Sequence, residues 1–152
     1  MISRKAWDIL RRASSFSDEA QAEEYIAASG KFTDAILLSG VFWPAFTVFQ
    51  EHVFLADFTK GNSFDIAQKE WSSKSDVEAF VNHRHIMDLF GNPCSEASAE
   101  AISYLGNLLS ETWKAKLKAE FGNRKFEVRF CDDKEDMAGS YITFWQTNDG
   151  LK

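Results

Sequence analysis

Two periods of hydrophobic and polar residues run along this chain and separate its helical regions from its strands. Apolar residues three and four positions apart predict helices, whereas strict alternation predicts half-buried strands. The longest helical stretch spans 96–121, where an apolar stripe faces a polar side. Further helices are predicted at 1–13, 18–28, 65–71 and 75–90.

Two pairs of strands complete the pattern. Residues 46–49 and 53–56 are rich in apolar and β-branched side chains around a polar turn, and this predicts a hairpin. Residues 125–131 and 141–146 alternate on either side of an acidic loop. Strands joined by a short connection pair antiparallel. The sequence therefore predicts an α+β fold with one antiparallel sheet of about four strands, in two hairpins, covered by helices on one face.

The segment 31–46 fits two predictions. One is a short helix from Thr33 or Asp34 through Leu38, and the other is a buried strand over 35–38, because a short apolar run does not distinguish the two. Residues 40–44 are predicted to turn into an extended segment. Pro44 disfavours the helical conformation at Trp43, so the chain is expected to turn there. With no repeat or linker elsewhere, residues 1–152 are predicted to form a single domain.

Composition and charge narrow the classes of function. The 152 residues are 45% hydrophobic and 14% aromatic, enough for a core without disulfides or metal. A net charge of −6 argues against nucleic acid and anionic membrane surfaces and is compatible with a basic protein partner. Cys94 and Cys131 form no CxxC pair, which indicates a reduced, cytoplasmic setting. No signal peptide or membrane-spanning run is expected.

The predicted helix at 75–90 concentrates the unusual polar residues. Ser75 and Glu78 have the spacing of a capping box at its start. The candidate binding residues within it are Asn82, Arg84, His85 and Asp88. An Arg84–Asp88 ion pair, or a His85 base oriented by Asp88, fits the helical spacing.

His83 and His85 form an HxH pair, an arrangement that binds metals when both rings share a face. Side chains two residues apart share a face on a strand but point about 200° apart on a helix. The helix prediction therefore implies no shared metal at this pair. A metal would also need ligands from elsewhere, such as His52 or the carboxylates of the 132–136 loop.

Aromatic and acidic residues outside this helix supply the other candidates. Trp43 and Trp145 are candidate binding residues, because aromatic side chains are enriched at interfaces. Trp145 lies on the strand face opposite Ile142 and Phe144 and requires a second covering layer or exposure to solvent. The acidic loop 132–136 is predicted to be a solvated connection, or a contact for a basic partner.

No catalytic or nucleotide-binding signature accompanies these residues. G-x-S-x-G, G-x-G-x-x-G and Walker A patterns are all absent, so no cofactor and no catalytic residue is assigned. The favoured hypothesis is a non-enzymatic, cytoplasmic protein of bacterial type that binds a partner with a basic surface, as an acidic antitoxin or immunity protein does. The alternatives are a small enzyme or ligand-binding domain with a polar pocket on the 82–88 helix, and a homodimer that uses Trp43 or Trp145.

Overall fold

A computed structural model describes residues 3–13, 17–57, 62–90, 98–133 and 135–147. Its helices are α1 (Arg4–Ala13), α2 (Glu19–Ser29), α3 (Phe32–Phe42), α4 (Asn62–Glu70), α5 (Lys74–Val81), α6 (Ile86–Leu89) and α7 (Ala99–Glu120). Its strands are β1 (Phe46–Phe49), β2 (His52–Leu55), β3 (Arg84–His85), β4 (Phe126–Cys131) and β5 (Tyr141–Gln146). This mixture confirms the α+β class. Among the described residues, no helix combines the length and apolarity needed to cross a bilayer.

Both predicted hairpins are present. β1 pairs antiparallel with β2, and β4 pairs antiparallel with β5 along its whole length. The first hairpin turns at Gln50 and Glu51, whose φ angles of 48° and 66° are both positive, as a type I′ turn requires. Glutamine and glutamate rarely adopt positive φ, so the sequence carries no signal for this turn type. His52, predicted to lie in the turn, is the first residue of β2.

α3 runs to Phe42, four residues beyond the predicted end at Leu38, so the strand alternative and the turn predicted from Gly40 are both wrong. Trp43 ends α3 with φ −132° and ψ 66°, outside the helical region, as the following proline predicted. α2 is capped by Asp18, whose side chain accepts a hydrogen bond from the Gln21 amide. α2 ends at Ser29, one residue beyond the predicted end, and the amide of the capping Gly30 donates to the Ile26 carbonyl.

The helix predicted at 75–90 is wrong beyond Val81. α5 ends there, and Arg84 and His85 form β3, which pairs antiparallel with the start of β5. α6 then supplies a single further turn. The cap is also displaced, because Ser73 rather than Ser75 accepts the Asp76 amide at 3.1 Å. The predicted capping residue Glu78 is fully buried instead.

Helices cover the strands on both faces, one layer more than the sequence predicted. On one face α7 packs its buried stripe against apolar residues of both hairpins, and Trp113 contacts Phe144 edge-on. These strand residues are Val53, Leu55, Val128, Ile142 and Phe144. On the other face α4 and α5 pack against Phe54 of β2. α5 also covers β5, because the Thr143 hydroxyl donates to the Ala79 carbonyl at 2.6 Å.

Two side chains, one in α5 and one at its C-cap, join the hairpins, which belong to separate sheets of two and three strands. Glu78 accepts the amides of Val53 and Gln146, at 2.8 and 2.6 Å, through its two carboxylate oxygens. Asn82, one turn later, accepts the Leu55 amide and donates to the carbonyls of Val53 and Phe144. A pair of buried side chains therefore replaces the main-chain ladder expected of a single sheet.

Replacing Asn82 by alanine tests this bridge. We expect Asn82→Ala to lower the free energy of unfolding by about 2–4 kcal/mol, because one amide and two carbonyls lose their buried partner. The matched control is Asn107→Ala, since Asn107 is exposed and its side-chain amide donates to the Ser103 carbonyl within α7. Urea unfolding should show a change within about 0.5 kcal/mol for the control. Equal effects of the two substitutions would contradict the bridge.

Two helical glycines are expected to respond oppositely to alanine. A Cβ at Gly106 would overlap the ring of Phe130, so Gly106→Ala should destabilise the α7–β4 contact by about 1 kcal/mol or more. A Cβ at Gly40 meets nothing, so Gly40→Ala should stabilise the protein by about 0.5–1 kcal/mol through helix propensity. Thermal unfolding of both variants measures the signs, and a stabilised Gly106→Ala protein would refute the close packing.

Candidate functional site

His83 and His85 lie side by side at the edge of the three-stranded sheet. Their Nε2 atoms are 3.4 Å apart, and their ring centroids are separated by 4.8 Å. His85 has extended backbone angles, φ −68° and ψ 137°, so the alternation of an extended chain brings both rings to a common side. The helical argument against a shared ligand at this pair is therefore wrong.

Tyr141 of β5 completes the cluster. It is the register partner of His85, and its ring stacks on His83 with centroids 4.1 Å apart and planes 23° apart. A hydrogen bond with Cys131, together with burial, raises the pKa of the Tyr141 hydroxyl above its ordinary value. Tyr141 therefore remains a neutral phenol that packs against the imidazole of His83.

The imidazole of His83 is held in its neutral form. Burial is the largest cause, and the nearby charges of His85 and Arg84 add to it; together they lower the pKa of His83 below 6.5. At neutral pH one ring nitrogen of His83 therefore carries a free lone pair. This is the form of histidine that accepts hydrogen bonds and ligates metals.

A groove of about 410 Å³ opens beside His83. Trp71 and Phe80 form one wall, with ring centroids 4.5 Å apart. Trp145 of β5 also lines the groove. The guanidinium carbon of Arg129, on β4, lies 4.9 Å from the centroid of the Trp145 ring. The groove, called here the His83 groove, brings the predicted candidate Trp145 onto the same surface as the histidine pair. Trp145 lies between the two alternatives predicted for it, a covering layer or exposure to solvent, since the residue is half-buried.

Three of the predicted site residues, Asn82, Arg84 and Asp88, are not among the residues that line the His83 groove. Asn82 is fully buried and bonds the two hairpins. Arg84 donates to the carbonyls of Val81 and His83 and forms an ion pair with Asp57 at 2.9 Å. Its carboxylate partner is therefore Asp57 and not the Asp88 that helical spacing indicated. Asp88 lies on α6 with its side chain exposed.

Trp43 lies apart from the His83 groove. It ends α3 with 48% of its surface exposed, and the Lys116 ammonium lies 5.7 Å from its ring centroid. Cys94 lies outside the described residues, as does Lys134 of the acidic loop. Sequence reasoning missed Tyr141, because its contact with His83 arises from the pairing of β3 with β5, and β3 was hidden inside a predicted helix.

A second candidate surface is the α3 face, defined by Phe32, Ile36 and Leu37, which are 91%, 70% and 67% exposed. Every residue from 32 to 40 is exposed, so the helix is held mainly at its end. There the Trp113 indole donates to the Val41 carbonyl at 2.9 Å. Large apolar side chains exposed together on one helix are typical of contact surfaces.

Comparison with known proteins found no match: no family model, curated protein or solved structure is similar to this chain. The two surfaces, the His83 groove and the α3 face, are defined by contacts within this chain. They lie on different elements, since the groove is built by α5, β4 and β5.

Titration of the histidines tests the surroundings of His83. We expect its NMR-determined pKa to lie below 6.5, and His85→Ala to raise it, because a nearby positive charge is removed while burial remains. Since the unfolded chain binds this proton more readily, the contribution of His83 to stability should fall as the pH drops through about 6.5 and below. A His83 pKa above 6.5 in the chelator-treated protein would contradict the burial.

Proposed function

We propose that this protein acts by binding another protein through the α3 face, and that the partner presents an apolar surface bordered by lysine or arginine. An acidic inhibitor of a basic protein, of the antitoxin or immunity type, is the concrete form of this function. The observation that supports it most is the exposure of Phe32, Ile36 and Leu37 on a helix with no buried residue.

The energetics of α3 favour a partner. A helix of 11 residues is marginal in water by itself, and helices of this length depend on packing of an apolar face. α3 packs at Val41 and Phe42, whereas residues 32–40 remain exposed. Burying one large apolar side chain stabilises a complex by about 1.5–3 kcal/mol before the costs of association. Phe32, Ile36 and Leu37 together supply the apolar centre of an interface.

The charges near α3 favour a basic partner over a lipid surface. Residues 18–34 contain five carboxylates against one lysine. These acidic residues are Asp18, Glu19, Glu23, Glu24 and Asp34. An anionic membrane repels such a segment, whereas lysine and arginine at the rim of a protein partner are attracted to it.

The acidic loop 132–136 is a weaker candidate for the contact with this partner. Asp133 accepts the amides of Glu135 and Asp136 at 3.0 and 2.9 Å through one carboxylate oxygen. Asp132 accepts the hydroxyl of Ser103 on α7. These carboxylates support the loop and its contact with α7, so the proposal assigns the partner contact to α3 instead.

A small ligand in the His83 groove is the second candidate function. The groove combines aromatic walls with the polar groups of Arg129, His83 and Asp76, as small-molecule sites do. This supports the ligand-binding alternative. Two hydroxyls that line the groove are already engaged, that of Ser75 with Ser73 and that of Thr143 with the Ala79 carbonyl.

Site-specific photocrosslinking in native-host extract tests the proposal. A photoreactive amino acid at position 36 should capture a protein with a net basic contact surface. The same group at position 111, exposed on α7, serves as the control. Leu37→Asp should abolish capture at position 36 without changing the circular dichroism, because Leu37 is exposed. Added salt should weaken capture, since charges at the rim are screened.

Three results would contradict this function. Equal capture at positions 36 and 111 would show that the α3 face is not specific. Capture of a second copy alone, with a dimeric mass in analytical ultracentrifugation, would make the surface a homodimer interface. Sedimentation of the protein with phosphatidylcholine vesicles, lost in Leu37→Asp, would make the occupant a membrane.

A further inference from the structure

The separation of the two imidazole Nε2 atoms can be compared with the distance between two histidine ligands of one metal ion. Two histidine nitrogens bound to one Zn²⁺ at about 2.05 Å, with a tetrahedral angle of about 109°, lie about 3.3 Å apart. A square-planar ion with the same bond lengths and an angle of about 90° would place them about 2.9 Å apart. The observed separation between His83 and His85 is 3.4 Å.

We propose that His83 and His85 form a two-histidine Zn²⁺ site at the edge of β5. The Nε2 atoms already span one edge of a zinc tetrahedron, so binding needs little rearrangement of the rings. Zn²⁺ binding requires the Nδ1–H tautomer of both rings, so the proton shared between the two Nε2 atoms in the metal-free protein moves to Nδ1 of the ring that carried it. The separation favours tetrahedral Zn²⁺ over planar Cu²⁺ or Ni²⁺.

The surroundings of the pair support this assignment. Tyr141 stacks on His83 and restrains its ring, so less rotational freedom is lost on binding. The positive charge of Arg84 is engaged by Asp57 and by two carbonyls rather than by the imidazoles. Nδ1 of His85 is buried and has no hydrogen-bond partner among the residues that the structure describes, whereas Nε2 faces His83.

The site is open rather than closed. Among the described residues, no group of three or more histidine, cysteine or carboxylate side chains is placed to hold a metal. The remaining positions are therefore left to water or to donors of a bound molecule, as in zinc sites with an open coordination position. Two protein ligands give weaker binding than the four of a structural zinc site.

Zinc titration of the tag-free, chelator-stripped chain tests the proposal. Isothermal titration at neutral pH should show one Zn²⁺ per chain. His83→Ala and His85→Ala should each weaken binding at least tenfold, because a single imidazole remains. The matched control is His52→Ala, since His52 stacks on Phe54 and bonds the Gln50 carbonyl through Nδ1. It should bind zinc as the unchanged protein does.

Co²⁺ supplies a second measurement that reports geometry rather than affinity. The protein should give the intense visible absorption of tetrahedral cobalt, and His83→Ala should abolish it. His83 is partly exposed, so this variant carries the test even if His85→Ala fails to fold. Absence of zinc binding, binding that survives both histidine substitutions, or an octahedral cobalt spectrum would each overturn the site.

Discussion

The structure depends on two buried side chains, Glu78 and Asn82, which hydrogen-bond to main-chain groups of both hairpins. Val53 and Leu55 on β2 direct their amides toward α5, and β5 offers the Gln146 amide and the Phe144 carbonyl from the other side. Leaving such groups unpaired in the interior costs about 1–3 kcal/mol each. Glu78 and Asn82 satisfy these groups, so one helical turn of α5 takes the place of a strand between the hairpins.

The hydrogen bonds of Asn82 also determine the position of the His83–His85 pair. Asn82 bonds both hairpins from the C-cap of α5, so the chain leaves the helix there and runs along β5 as β3. The extended chain brings His83 and His85 to one side and places Tyr141 against them. A helix continuing through this segment would have separated the two rings. The α3 face lies outside this network, since its helix is held through Val41 and Phe42.

The sequence predicted the elements whose pattern is local. The α7 stripe and both hairpins follow from hydrophobic periodicity, and the α+β class follows from them. The break after Val81 does not, because Ile86, Met87 and Phe90 continue a helical spacing, and only the pairing of β3 with β5 overrides it. Asn82 had the polarity of a binding residue, but its partners are main-chain groups more than 25 positions away in sequence. The exposure of α3 could not be predicted from the sequence either, since an apolar run predicts burial.

Contacts between protons of the histidine rings test this account most directly. In a nuclear Overhauser spectrum of the metal-free protein, we expect cross-peaks between the imidazoles of His83 and His85, and between His83 and the Tyr141 ring. We also expect strand-like contacts between His85 and Tyr141 across the β3–β5 pair. An unbroken series of helical amide contacts from Val81 to Asp88, without cross-peaks between the two imidazoles, would contradict it.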